Sequence, residues 1–328
     1  MRIFNLTRTL GFGLVCLAAL AAFNLTADSQ PVSPSPNMVS LAIATLTHSI
    51  PYGPAKALTG SQFAKYVEKM DPREREQAIL HQILAGNLPS FLRRLVPVRL
   101  SFQSSAGKTM NATIFTMPEY LAIGTDKDYL RIPMNLYTAA AVASKLGFVL
   151  PTRKIVDAIY AQAAFHFAPE PMTAGPQMRS TGYYLTHNEK IEAQSRVLGV
   201  TEGALVSGDK KDVVVSNRLA RNPGKIAIYG WHRLNGEPIQ PLSTIHGACY
   251  ADYSHGIRLV SETAMVDGEA RSIYDVLADP TLSQVLSDEG PIPNLRDLIA
   301  RTAGEQPCGK VQSSTPSNPL DGVPRLPL

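Results

Sequence analysis

Val96-Pro97-Val98-Arg99-Leu100-Ser101-Phe102 and, beyond Gly107-Lys108, Met110-Asn111-Ala112-Thr113-Ile114-Phe115-Thr116-Met117 decide the fold class. In the first run Val98, Leu100 and Phe102 alternate with Arg99 and Ser101, the period of two that a strand with one buried face requires. Gly107-Lys108 is the turn that brings the second run back beside the first. Residues 120–123 and 129–133 add two short strands around Gly124-Thr125-Asp126. The whole stretch therefore reads as an antiparallel meander.

On either side of it the period changes. Phe63, Val67 and Met70 recur at helical spacing, and Asp71-Pro72 opens a second helix whose stripe is Ile79, Leu80, Ile83 and Leu84. Arg73, Glu74, Arg75 and Glu76 alternate in charge and read as its solvated face. Downstream, 136–146 is helical, and Thr152 after Pro151 is an N-cap for a helix that buries Ile155, Val156, Ile159 and Tyr160. Residues 184–198 form a further helix. Strands return at 212–216, 225–231, 256–261 and 264–266, the last running into Asp267-Gly268, and short helices at 273–277 and 295–299 close the body. Blocks of helix and blocks of strand are segregated. This predicts an α+β fold, a mixed, largely antiparallel sheet with segregated helices in a single main domain.

The chain has 328 residues, 45% apolar and 18% charged, with 31 Lys+Arg against 27 Asp+Glu. Such a composition excludes disorder, collagen-like repetition and a multi-span membrane protein. Residues 1–27 have the parts of a secretory signal: Arg2 and Arg8, an apolar run over 10–23, then small residues at Ala19 and Ala21 or at Ala27. That run is about 14 residues, short of the ~20 needed to span a bilayer, so no stable membrane span is expected in the mature form. Loss of the two arginines leaves 29 basic residues against 27 acidic ones. A net +2 gives no reason to invoke nucleic acid or anionic membrane. The expected organisation is a signal at 1–27, a Pro-rich linker at 28–54, the α+β domain at 55–306 with 55–95 as a helical cap, and a Pro-rich tail at 307–328. The expected location is secreted or periplasmic.

Export alters the cysteine arithmetic. Cys16 leaves with the signal, and Cys249 and Cys308 in an oxidising compartment read as a disulfide closing a loop of about 60 residues. The alternative is a Cys249 thiolate with His246 as its base.

No Walker loop, G-x-S-x-G, H-E-x-x-H, paired C-x-x-C or strand-linked dinucleotide fingerprint occurs. What stands out is Ser243-Thr244-Ile245-His246-Gly247-Ala248-Cys249-Tyr250-Ala251-Asp252-Tyr253-Ser254-His255-Gly256, a run too polar for core and lying between two apolar strands, with His232 ending the strand before it. Three mechanisms suit these groups. His232, His246, Asp252 and His255 form a donor set for zinc, with water in an open position. Cys249 is a nucleophile with His246 or His255 as base and Asp252 as orienter. Ser254 is a nucleophile with a histidine base, lacking the glycine-flanked elbow. Tyr250, Tyr253 and Lys211 are candidates for substrate contact. Lys211 lies in Gly208-Asp209-Lys210-Lys211-Asp212, which reads first as a solvated hairpin turn. The expected function is an exported hydrolase of an amide-type or polymeric envelope substrate. A non-catalytic glycan- or peptide-binding protein using the same loop is the alternative.

Four segments, Pro151-Thr152-Arg153-Lys154-Ile155-Val156-Asp157-Ala158-Ile159-Tyr160, Lys210-Lys211-Asp212-Val213-Val214, Ile228-Tyr229-Gly230-Trp231-His232 and Tyr250-Ala251-Asp252-Tyr253-Ser254-His255-Gly256-Ile257-Arg258-Leu259-Val260, carry a resemblance. In them the chain resembles a family of exported bacterial proteins with no assigned reaction, over about residues 95–292. The resemblance implies export and a single unit, and it supplies no catalytic residue.

Overall fold

The two period-two runs form the hairpin at the centre of the structure. β1 (Val96–Gln103) pairs antiparallel with β2 (Thr109–Thr116) in unbroken register from Val96↔Thr116 to Gln103↔Thr109. The computed structural model describes residues 50–304 apart from 106, together with Cys308, and these fall within one compact unit. The signal expected at 1–27, most of the linker and most of the tail lie outside the described residues.

Two capped helices precede the hairpin. In α1 (Gly60–Val67) the Thr59 hydroxyl accepts from Gln62 N while Gln62 accepts from Thr59 N, and in α2 (Pro72–Leu84) Asp71 and Glu74 make the same reciprocal pair. Arg75 and Glu76, expected on a solvated face of α2, are buried. The reason lies in tertiary packing: Arg75 donates to Thr181 Oγ1 and Tyr184 Oη, and Glu76 accepts from Asn135 N.

β3 (Ala122–Thr125) and β4 (Asp128–Arg131) make a separate two-stranded ribbon rather than continuing a meander. α1 lies hard against it. A Cβ on Gly60 would meet Tyr129 C at 2.5 Å, and one on Gly124 (φ 128°) would meet Gly60 N at 2.6 Å, so the approach needs glycine on both sides.

α3 (Leu136–Leu146) begins at the Asn135 cap, stops at left-handed Gly147 and is buried along most of its length. β5 (Phe148–Val149) follows, then α4 (Arg153–Gln162), whose first turn is capped by Thr152 as the sequence predicts. After β6 (Phe165–His166) come α5 (Thr181–Leu198), β7 (Val206–Ser207), β8 (Lys211–Val214), α6 (Arg218–Arg221), β9 (Ala227–His232) and β10 (Pro238–Ser243). The chain closes through β11 (His255–Gly256), β12 (Val260–Ser261), β13 (Thr263–Val266), β14 (Glu269–Ser272), α7 (Ile273–Ala278), α8 (Ser283–Leu286) and α9 (Leu295–Gly304).

Two larger sheets organise these elements. One has the order β14-β13-β2-β12-β5 with β1 also on β2, all antiparallel; the other is β10-β9-β8-β11, antiparallel except for β8 with β11. The fold is α+β with a predominance of antiparallel pairing. The single strand expected at 256–261 is divided, because β11 belongs to one sheet and β12 to the other. Between them Arg258 is wholly buried, donating to Met117 O and Val206 O, with its guanidinium 4.2 Å from the Tyr120 ring. Among the described residues no helix is long and apolar enough to cross a membrane.

Candidate functional site

The loop after β10 is held at its outer half by backbone contacts. Ala248 N donates to Gly224 O, Leu136 N donates to Ala248 O, and Cys249 is joined to Cys308 with their Cα atoms 5.7 Å apart. From Ala251 onward the chain turns inward and every residue through Ser261 is buried. The expectation that this run is too polar for core therefore fails over its second half. Tyr250, Asp252 and Ser254 satisfy one another there, while His255 is buried without such partners.

Asp252 is the clearest case. Oδ1 accepts from Ser254 N (2.8 Å) and Ser254 Oγ (2.6 Å), and Oδ2 accepts from Tyr250 Oη (2.9 Å). Burial alone would raise this carboxyl, but the adjacent His255 and these hydrogen bonds outweigh it and hold the group below its ordinary value. His255 follows with the opposite circumstance. It is 1% exposed, and neither ring nitrogen has a hydrogen-bond partner. Burial lowers its pKa to about 4, with Asp252 opposing and Lys211 adding to the shift. The imidazole is neutral at neutral pH.

Lys211 stands beside His255 in parallel register, its Nζ 5.1 Å over the Trp231 ring. His246 is half-buried, its ring stacked on Tyr250 at 4.2 Å and 6.2 Å from the ring of His255. Burial lowers its pKa too. The Arg179 guanidinium lies 5.4 Å from the Tyr250 centroid. His246, Tyr250, Asp252 and His255 are thus brought together as their spacing suggests, and Lys211, expected on a solvated turn, lies beside His255.

Other candidates are placed differently. His232 is not at a sheet edge, since β9 lies between β8 and β10. Its ring stacks on Tyr160 of α4 at 4.5 Å, and Nε2 sits 3.0 Å from Asp157 Oδ1. The proposed donor set of His232, His246, Asp252 and His255 does not converge, and among the described residues no group of three or more His, Cys, Asp or Glu side chains could hold a metal ion. Cys249, in a disulfide, has no thiolate to offer. The Ser254 hydroxyl is buried and donates to Asp252 rather than to a histidine, so it is not an activated nucleophile. Tyr253 is 2% exposed, accepts from Met172 N through its hydroxyl and packs among Tyr183, His187 and Trp231, which makes it core rather than a grip.

Several residues were not legible. The expected turn at Asp209-Lys210-Lys211-Asp212 buries Asp209, Lys210 and Asp212. Lys210 Nζ donates to Tyr253 O at 2.6 Å and stands 3.1 Å from His187 Nδ1. Burial lowers the pKa of both Lys210 and His187, and Lys210 itself helps to keep His187 neutral. Trp231 has a φ of 55°, a left-handed conformation costly for a bulky residue, and its Nε1 has no partner. The sequence signal was the charge run itself, placed directly against the apolar Val213-Val214-Val215.

Cavities of about 410 Å³ beside α5 and about 490 Å³ between α6 and α9 open elsewhere, and neither is lined by His246, Asp252 or His255. Compared with protein-family models, with curated proteins and with solved structures, the chain matches none.

Proposed function

We propose that the chain is an exported hydrolase of an amide-type or polymeric substrate, working by histidine general-base catalysis within the 246–255 loop. One observation carries this reading: His255 is buried and neutral, with both ring nitrogens unpartnered, beside a carboxylate held ionised. Native structures rarely leave an imidazole so, and the usual reasons are catalysis or a partner bound in use. In the proposed step His255 takes a proton from water as the oxygen adds to the substrate carbonyl carbon. Asp252 stabilises the imidazolium, which then protonates the departing amine. His246, half-exposed, is the outer member of the pair. The removable segment expected at 1–27 and the Cys249–Cys308 bond support an exported, secreted or periplasmic, location.

The test is release of amines or reducing ends from insoluble peptide-cross-linked and glycan polymers by the purified full chain. Wild type should release product and His255→Gln should not. A His255→Gln protein with undiminished activity would overturn the reading. A second reading, a non-catalytic glycan- or peptide-binding protein, is favoured by the cations Lys211 and Arg179 on the half-buried rim. Retention of polymer by wild type with no product released supports that one instead.

A further inference from the structure

Around this loop several donors are left without partners. Among the described residues the Lys211 ammonium makes no hydrogen bond or ion pair, and neither does the Arg179 guanidinium, whose Nε is buried; each lies over an aromatic ring instead. The Trp231 indole N–H, beneath Lys211, is buried and unpaired. His187 adds another. A charged Lys210 can only donate, so His187 Nδ1 accepts, and the single proton of the neutral ring sits on Nε2, again buried and without a partner.

Unpartnered acceptor atoms also occur, on Asp212, Asp209 and Glu76, but burial pushes all three of those carboxyls toward the protonated form. Both Asp252 oxygens are filled from Ser254 and Tyr250, and His255 offers at most one acceptor beside its own donor. A half-buried cation with no hydrogen-bonded counter-ion and a buried N–H with no acceptor each cost free energy, and Asp252, whose charge acts on Lys211, has both oxygens already engaged. An oxyanion would complete the set. The placement of Lys211 is selective, because it stands in register with His255, and an anion bound there lies next to the proposed base. The left-handed backbone of Trp231 points the same way: strain of this kind persists where the surroundings fix it and clusters at ligand sites.

We infer that the substrate is anionic, carrying a carboxylate or phosphate that pairs with Lys211 and the Trp231 indole N–H, with Arg179 adding to the positive field across Tyr250. This rests on the loop being the working site proposed above and goes beyond it by naming the charge of what binds.

Binding is measured by calorimetry on the full chain with its disulfide intact, so that no turnover is needed. Three matched pairs of probes separate the sources of the oxyanion: acetyl-trialanine as free acid and as amide, trigalacturonate and its methyl ester, and glycerol phosphate and glycerol. At least one acid should bind about tenfold or more tighter than its neutral counterpart, as a charge-assisted hydrogen bond predicts. The preference should vanish in Lys211→Gln, be largely kept in Lys211→Arg, weaken in Arg179→Gln and fall with added salt. The pair that shows the preference identifies the source. No preference in any pair, or a preference unchanged in a folded Lys211→Gln protein, overturns the inference. Because binding and hydrolysis are read separately, acid binding by a protein that hydrolyses nothing would refute the catalytic reading and leave this one standing.

Discussion

Asp252 accepts the Ser254 hydroxyl at 2.6 Å and the Ser254 amide at 2.8 Å, so the carboxylate is clamped by the residue immediately before His255. The clamp keeps a negative charge beside a buried imidazole, and that charge is the main influence opposing the effect of burial on His255. Asp252→Asn should therefore push the His255 pKa below its present value near 4 and reduce any activity that uses its imidazolium. Proton NMR of the His255 ring is the check. Wild type should show no titration between pH 5.5 and 8, and a midpoint near 6.5 would contradict the buried, unpartnered placement.

Arg131 makes the other concentrated charge centre. It donates to Glu119 Oε2 at 3.1 and 2.9 Å, to Glu192 Oε1 at 2.7 Å and to Asn188 Oδ1 at 3.2 Å. Both Arg131 and Glu119 are buried, so truncating one strands the other in a medium that cannot solvate it. Arg131→Met should cost about 3–5 kcal/mol by urea unfolding. The double variant Arg131→Met/Glu119→Gln should recover part of that loss.

How much of this could be read in advance follows from how local each determinant is. The caps at Thr59, Asp71 and Thr152 are decided within three residues, and the β1–β2 hairpin within about 20, so pattern alone finds them. Arg75, Asp209 and Lys210 carry no local mark of burial. Their partners Thr181, Tyr184, Arg131, His187 and Tyr253 lie tens of residues away, and a charge run looks the same whether solvated or buried. The reading of 256–261 as one strand fails for a related cause. Apolar alternation cannot reveal that the chain passes from one sheet to the other at Arg258. At the site, His246, Asp252 and His255 come together as spacing suggests, while His232 is drawn away by Asp157 and Tyr160 on a helix whose packing no motif encodes.

The Cys249–Cys308 bond closes 59 residues, with one sulfur next to Tyr250 and three positions from His246. Reduction, or Cys308→Ser, should lower stability by about 2–4 kcal/mol, since the cross-link chiefly restricts the unfolded chain. Urea unfolding with and without reductant measures it, and the Cys249→Ser/Cys308→Ser variant should be insensitive to reductant. Thiol counting on the unfolded, unreduced protein should find neither Cys249 nor Cys308 free.

Glu76 gives the clearest dependence of stability on pH. Burial raises its carboxyl from 4.5 to about 7, although hydrogen bonds from Thr138 and Asn135 N and the charges of Arg75 and Arg179 work against the rise. Between those two values the folded protein holds a proton that the unfolded chain has released, so stability must fall as pH increases. The favourable contribution is complete below about pH 4.5 and is lost as pH passes about 7, a change on the order of 3 kcal/mol. Asp212, raised to about 6 by burial, acts in the same direction, whereas His255, depressed to about 4, makes stability rise with pH between about 4 and 6.5. The raw curve mixes these, so the quantity to measure is the difference between wild type and Glu76→Gln in urea unfolding free energy at pH 4.5, 6, 7 and 8. That difference should be smallest at pH 4.5 and grow in favour of Glu76→Gln through pH 8. A difference constant with pH would show that the Glu76 carboxyl titrates alike in the folded and unfolded protein, its hydrogen bonds and the charges of Arg75 and Arg179 balancing its burial.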